Sequence, residues 1–232
     1  MRCNLTLHVC LNAVAGLAML SGCGRGLIPQ ALAAEETHAV TPSNLRITVA
    51  VVGSAHVAAG TLGRAEREAS RILEGAGLSA TWLETDVNSP IDLPPDAIVL
   101  RIEAHAGPKH DPKAIGVALA PELGDGVYAT IFFDRVRQRA ADAGLNVGSV
   151  LGHAIAHEIG HLLLGTNSHS GSGLMSAVWT ASELRSLEKG QLNFVPDEAA
   201  KMHGEVVRRN GERIRAQVAK ADEKEGAGVP SK

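Results

Sequence analysis

The residues from Ser149 to Leu164, SVLGHAIAHEIGHLLL, carry a single charged side chain, Glu158. A run this apolar must bury most of its surface, and its spacing is helical. Ser149 is suited to cap the helix and Gly165 to stop it. Leu151, Ile155, Ile159, Leu162 and Leu163 fall on a face that can anchor in a core. His157 and His161 fall on another face, one turn apart, because four residues rotate through about 400°. His153 lies one turn earlier on that face. Buried imidazoles need partners. Any fold for this chain must therefore set the helix between an apolar core and something that two histidines and a glutamate can engage.

His157-Glu158-Ile159-Gly160-His161 has the HExxH spacing. Two imidazoles one turn apart can grip a Zn²⁺ ion at about 2.0–2.1 Å. The carboxylate of Glu158 sits beside that face, placed to reach a water rather than to join both histidines as a ligand. That division of labour is two ligands plus a general base. A catalytic zinc takes three protein ligands and keeps one position open. His169 is the leading third ligand, because Gly165 lets the chain turn back beneath the metal. Glu183 is the alternative: it lies 22 residues after His161 and begins a later helix, although a first-turn Glu is more often held there by the helix dipole. His153 is expected to line the cleft or to hydrogen-bond behind the ligands. His105 and His110 are expected in a solvated loop.

The order His157, Glu158, His161, Gly165, His169 and Met175 resembles the metzincin metallopeptidases, whose pattern is HExxHxxGxxH followed by a Met-containing turn. The third histidine of that pattern comes six residues after the second, whereas His169 comes eight after His161. The stretch is also similar to exported bacterial proteins that carry HExxHLLLG and a short SHS segment, here Ser168-His169-Ser170. The resemblance implies an α+β fold: a single metzincin-like domain, its mixed β-sheet joined by an active-site helix and C-terminal helices. It implies Zn²⁺ held by His157, His161 and His169, with Met175 beneath the site as an apolar floor. It implies peptide-bond hydrolysis of a peptide or protein substrate, with Glu158 as catalytic base. An edge strand would bind extended substrate, and Val127–Phe133 is the candidate. The competing expectations are a non-catalytic zinc-binding or envelope interaction module that retains the helix, and a lipid-anchored structural domain without metal.

The rest of the chain fits one domain. Leu45–Val52 reads as a strand, Thr61–Glu74 as a helix capped by Thr61, Ala80–Glu84 and Asp96–Ala104 as strands. Ile115–Ala120 and Val127–Phe133 read as a hairpin around Gly124-Asp125-Gly126. Asp134 would cap a short helix ending near Gly144. Further helices are expected near Ser182–Lys189 and from Pro196 to Lys220. Trp179 is expected to pack in the core. The domain thus spans 45–220, with a charged, frayed tail over 221–232.

Residues 1–23 look like a secretory signal: Arg2, an apolar stretch from Leu5 to Leu20, then small residues. Leu20-Ser21-Gly22-Cys23 resembles a lipobox, which would make Cys23 the acylated first residue. Cleavage after Ala33 is the alternative, farther from the apolar stretch. Residues 24–44 form a linker. The expected location is exported, periplasmic or lipid-anchored in the bacterial envelope, with membrane contact only through Cys23. Cys3, Cys10 and Cys23 are the chain's cysteines, so the domain has no disulfide and no thiol ligand. Lys and Arg number 22 against 25 Asp and Glu, and aromatics are 3%. Neither a basic footprint nor a stacking platform exists, which excludes nucleic acid as a partner.

Overall fold

A computed structural model describes residues 45–85, 93–94, 96–120 and 126–226, all within one compact unit. Residues 1–44, where a signal segment, a lipobox and a linker are expected, lie outside the described residues. Among the described residues no helix is long and apolar enough to cross a membrane.

Five strands form the sheet: β1 Leu45–Val52, β2 Leu78–Thr85, β3 Ile98–Glu103, β4 Gly116–Leu119 and β5 Tyr128–Phe132. Their spatial order is β2-β1-β3-β5-β4. The first four in that order run parallel, and β4 runs antiparallel to β5. The β-branched runs that predict these strands place Val49, Val51, Leu100, Ile102 and Ile131 in the core. The fold class is α+β as expected, with a mixed, mostly parallel sheet whose first two strands flank one helix and whose other helices follow the last strand.

Five helices cover the sheet: α1 Ala59–Gly75, α2 Phe133–Ala143, α3 Val147–Leu164, α4 Ala181–Glu188 and α5 Pro196–Gly226. Helix α1 packs on β2 and on α3, while α3 lies against β4 and β5. The long last helix reaches α3 and β1. It continues past the expected end at Lys220, so the residues assigned to a frayed tail are helical as far as Gly226.

Three caps differ from the sequence reading. Asn146, not Ser149, caps α3, accepting from the backbone N–H groups of Gly148 and Ser149 at 2.9 and 3.3 Å. The helix therefore starts three residues earlier. Ala58 takes the cap position of α1 and Phe132 that of α2, and neither supplies a side-chain cap bond. Thr61 and Asp134 each lie inside the helix they were expected to cap. The expected edge strand is also corrected. Val127–Phe133 contains β5, which pairs on both sides; its hairpin partner β4 takes the edge. The parallel pairing of β3 with β5 leaves the last position in the sheet to β4.

Helix α3 is buried on nearly every side, including Gly148 and every residue from Val150 to Leu163. Its approach to α1 needs glycine. A Cβ on Gly152 would sit 2.6 Å from the Ala65 carbonyl oxygen, and one on Gly148 would sit 2.9 Å from that of Thr61. Both obstacles are backbone, so neither can swing away. Gly152→Val is expected to lower unfolding free energy by about 2–3 kcal/mol in a urea titration. Gly204→Ala, at an exposed position of α5 with nothing within 4 Å of the new carbon, is expected to raise it by about 0.5–1 kcal/mol.

Candidate metal centre

Helix α3 presents His157, Glu158 and His161 with at most 7% of each residue exposed. His157 Nδ1 donates to the carbonyl of Leu174 at 2.8 Å, and His161 Nδ1 donates to that of Thr166 at 2.8 Å. A neutral imidazole that donates from Nδ1 keeps a lone pair on Nε2. Those two Nε2 atoms face each other across 3.1 Å. Two lone pairs at that distance repel unless a cation lies between them. A proton is a poor candidate, because burial pulls the His157 pKa down to about 4 and lowers that of His161. A metal ion fits: ligands about 2.05 Å from a tetrahedral Zn²⁺ stand about 3.3 Å apart.

Gly165 ends the helix with φ +63° and turns the chain back. Thr166 bonds to the helix end through its N–H and its carbonyl, and its hydroxyl accepts from the Ser168 N–H at 3.0 Å. His169 then arrives beside the pair. The donor atoms of His157, His161 and His169 lie within 4.8 Å of one another, so the cluster can hold a zinc ion. His169 is the exposed member.

The chain is pinned immediately after His169. The Ser170 N–H donates to the Met175 carbonyl at 2.9 Å, and Ser170 pairs with Ser176. The Ser170 hydroxyl also donates to Glu198, a buried carboxylate in the first turn of α5. Glu198 holds the Val195 N–H at 3.0 Å with its other oxygen. Met175 is fully buried against α3. A Cβ on Gly160 would come 2.6 Å from its sulfur and 2.7 Å from the Phe194 ring. The adjacent Leu174 carbonyl accepts both His157 Nδ1 and Trp179 Nε1, the latter at 3.0 Å. Trp179 is buried and also walls the cleft.

Glu158 points toward β4. A Cβ on Gly116 would fall 2.6 Å from Glu158 Oε1, so glycine is what lets the carboxylate reach the strand. Burial pushes its pKa up to about 8. The cleft beside it measures about 390 Å³, with residues 114–118 on one side and 176–179 on the other.

Glu183 is not among the clustered donors. It completes a capping box with Thr180 and accepts from Ser176 Oγ at 3.2 Å; its hydrogen bonds to Thr180 hold its pKa below the usual carboxylate value. His153 is fully buried away from the cleft. Its Nδ1 meets the Ser149 carbonyl at 2.9 Å, and its Nε2 lies 3.7 Å from Glu68. Burial holds its pKa down, which keeps the ring neutral. His105 is exposed beside Asp134, and the His110 ring lies on Phe132.

Gly116, Ser170 and Glu198 escaped the sequence reading. Pro196 with Glu198 shortly after it is a helix-start signal, but the reach of that carboxylate to Ser170 has no local trace.

No protein-family model matches the chain, and no curated protein matches it. Solved structures similar to it include archaemetzincin from Methanopyrus kandleri. That match has 15% identity and TM-score 0.47, covering 72% of this chain and 99% of that one. Metalloproteinase-II from Bacteroides fragilis matches at 13% identity and TM-score 0.44, over 70% of this chain and 54% of that one. A zinc-dependent peptidase from Methanocorpusculum labreanum matches at 14% and 0.46, over 67% and 99%.

Glu198→Ala is expected to weaken zinc binding about tenfold to a hundredfold in a chelator competition, because it releases Ser170 and with it His169.

Proposed function

We propose that the chain is a zinc-dependent metallopeptidase of the metzincin type. The convergence of three imidazoles on one point, with a carboxylate beside them in an open cleft, carries this reading. A zinc ion held by His157, His161 and His169 supplies a Lewis acid for a peptide carbonyl and makes a water more acidic. The remaining steps belong to the chain. Strand β4 is an edge, and an edge has unpaired backbone N–H and C=O groups with which an extended peptide can pair. The wall at 176–179 confines that peptide from the other side. Glu158 takes a proton from the attacking water and delivers it to the departing amine. Its burial suits this role, since a desolvated carboxylate is a stronger base than one in water, while a nearby cation favours its charged form. The carbonyls of Leu174 and Thr166 fix the histidine tautomers, so both Nε2 lone pairs stay directed inward.

Glu158→Gln is the direct test. The amide keeps the shape and cannot accept the proton. Cleavage of a quenched peptide mixture by the zinc-loaded protein is expected to fall at least a hundredfold, with zinc content unchanged. Equal turnover in the variant would remove Glu158 from the mechanism. A wild-type protein that binds zinc and cleaves nothing would instead favour the non-catalytic module.

Gly116→Ala probes the same carboxylate from the opposite wall. The added methyl must displace Glu158 and leaves the histidines untouched. Zinc affinity is expected to hold within about twofold, while kcat/KM falls about a hundredfold, the scale of a 1 Å misplacement.

A further inference from the structure

The cleft has a charged end that hydrolysis does not use. Past Gly116 its wall continues through Ile115 and Ala114 to Lys113 and Asp111, and Arg139 of α2 also lines the cleft. Arg135, one turn earlier on α2, is engaged with the backbone. Its guanidinium donates to the carbonyls of Asp111 and Ala114 and lies over the Phe132 ring. Those bonds hold residues 111–114 against α2. Arg139 differs: it is half-buried and has no hydrogen bond or ion pair among the described residues. Among the described residues no hydrogen bond or ion pair joins it to Glu158. Asp111 is turned back onto the Lys113 N–H at 2.8 Å. Lys113 and Arg139 thus add two cations to a lining in which Asp111 is bonded to its own loop, and the guanidinium's five donors have no acceptor among the described residues.

The geometry points to a carboxylate subsite: Arg139, with Lys113 beside it, receives an acidic group on the part of a bound peptide that lies past Gly116. A planar guanidinium fits a carboxylate with two parallel hydrogen bonds. The group is an Asp or Glu side chain or the free C-terminal carboxylate. The subsite names the preferred substrate class and rests on the peptidase reading, because it requires a peptide lying along β4.

The test is equilibrium binding of fluorescent peptides to the zinc-loaded Glu158→Gln protein, which reads occupancy without turnover. One series exchanges Glu for Gln at successive positions of an amidated peptide. The other compares free acid with amide in a peptide lacking acidic side chains. In at least one series the carboxylate form is expected to bind about fivefold to tenfold tighter, with the gap narrowing in salt. The series that shows the gap identifies the source. Adding Arg139→Gln is expected to close it, and Arg139→Lys to retain part of it. Arg137→Gln, which removes the same charge from an exposed position of α2, is expected to leave the gap intact. Equal affinities in both series overturn the subsite, as does a gap that survives Arg139→Gln. A gap without cleavage by the wild-type protein sinks the peptidase reading and leaves the carboxylate site standing. Cleavage without a gap does the reverse, and no binding of any peptide overturns both.

Discussion

Two imidazole lone pairs held 3.1 Å apart inside the protein set the terms for everything around them. Each ring is locked by a backbone carbonyl at its far nitrogen, so neither can turn its lone pair away. Burial opposes the protonation that would otherwise relieve the repulsion. The surroundings therefore make sense as a device for keeping these rings in place. The two carbonyls come from opposite ends of one excursion: Thr166 just after α3, and Leu174 where the chain passes back under it. The same excursion delivers His169. Its far end is tied to α5 through Ser170 and Glu198, and to α4 through Ser176 and Glu183.

Glycine makes the arrangement sterically possible at three sites with separate purposes. Gly148 and Gly152 let α1 come close enough to shield one side of α3. Gly160 admits the Met175 sulfur and the Phe194 ring against the helix immediately before His161. Gly116 leaves room for Glu158 to extend to β4. None of these three contacts involves a positive φ; each is a demand for space. A methyl group at any of them would meet its neighbour at less than 3 Å. Stability, ligand placement and the position of the proposed base thus depend on absent side chains.

The elements were legible where a short pattern carries the information. Short apolar runs bounded by turn and loop residues marked the strands, and the four-residue histidine spacing marked α3. His157, Glu158, His161 and His169 could be read from local sequence because a single helix and its return loop carry all four. Other features depend on partners distant in the chain. The edge position of β4 is set by how β5 pairs with β3, which hairpin spacing does not encode. Glu198 reads as an ordinary first-turn carboxylate until the fold brings Ser170 to it, 28 residues away. The caps failed for a different reason: Ser149 and Asn146 are both good cap residues, and only the three-dimensional start of the helix chooses between them.

The longer spacing between the second and third histidines has a structural counterpart. Gly165 sends the chain out of the helix in a left-handed conformation. Thr166 uses its N–H and carbonyl to stay on the helix end, which occupies the first part of the return. The extra residues are therefore bonded rather than slack, and Ser168 is tied to the Thr166 side chain. His169 has no helix to hold it and is the most exposed of the three. Its placement rests on the bonds flanking it, Thr166 to α3 on one side and Ser170 to Glu198 on the other. A rigid pair on a buried helix joined by a third ring on a two-point loop divides the work: the helix fixes where an ion can sit, and the loop closes the site around it.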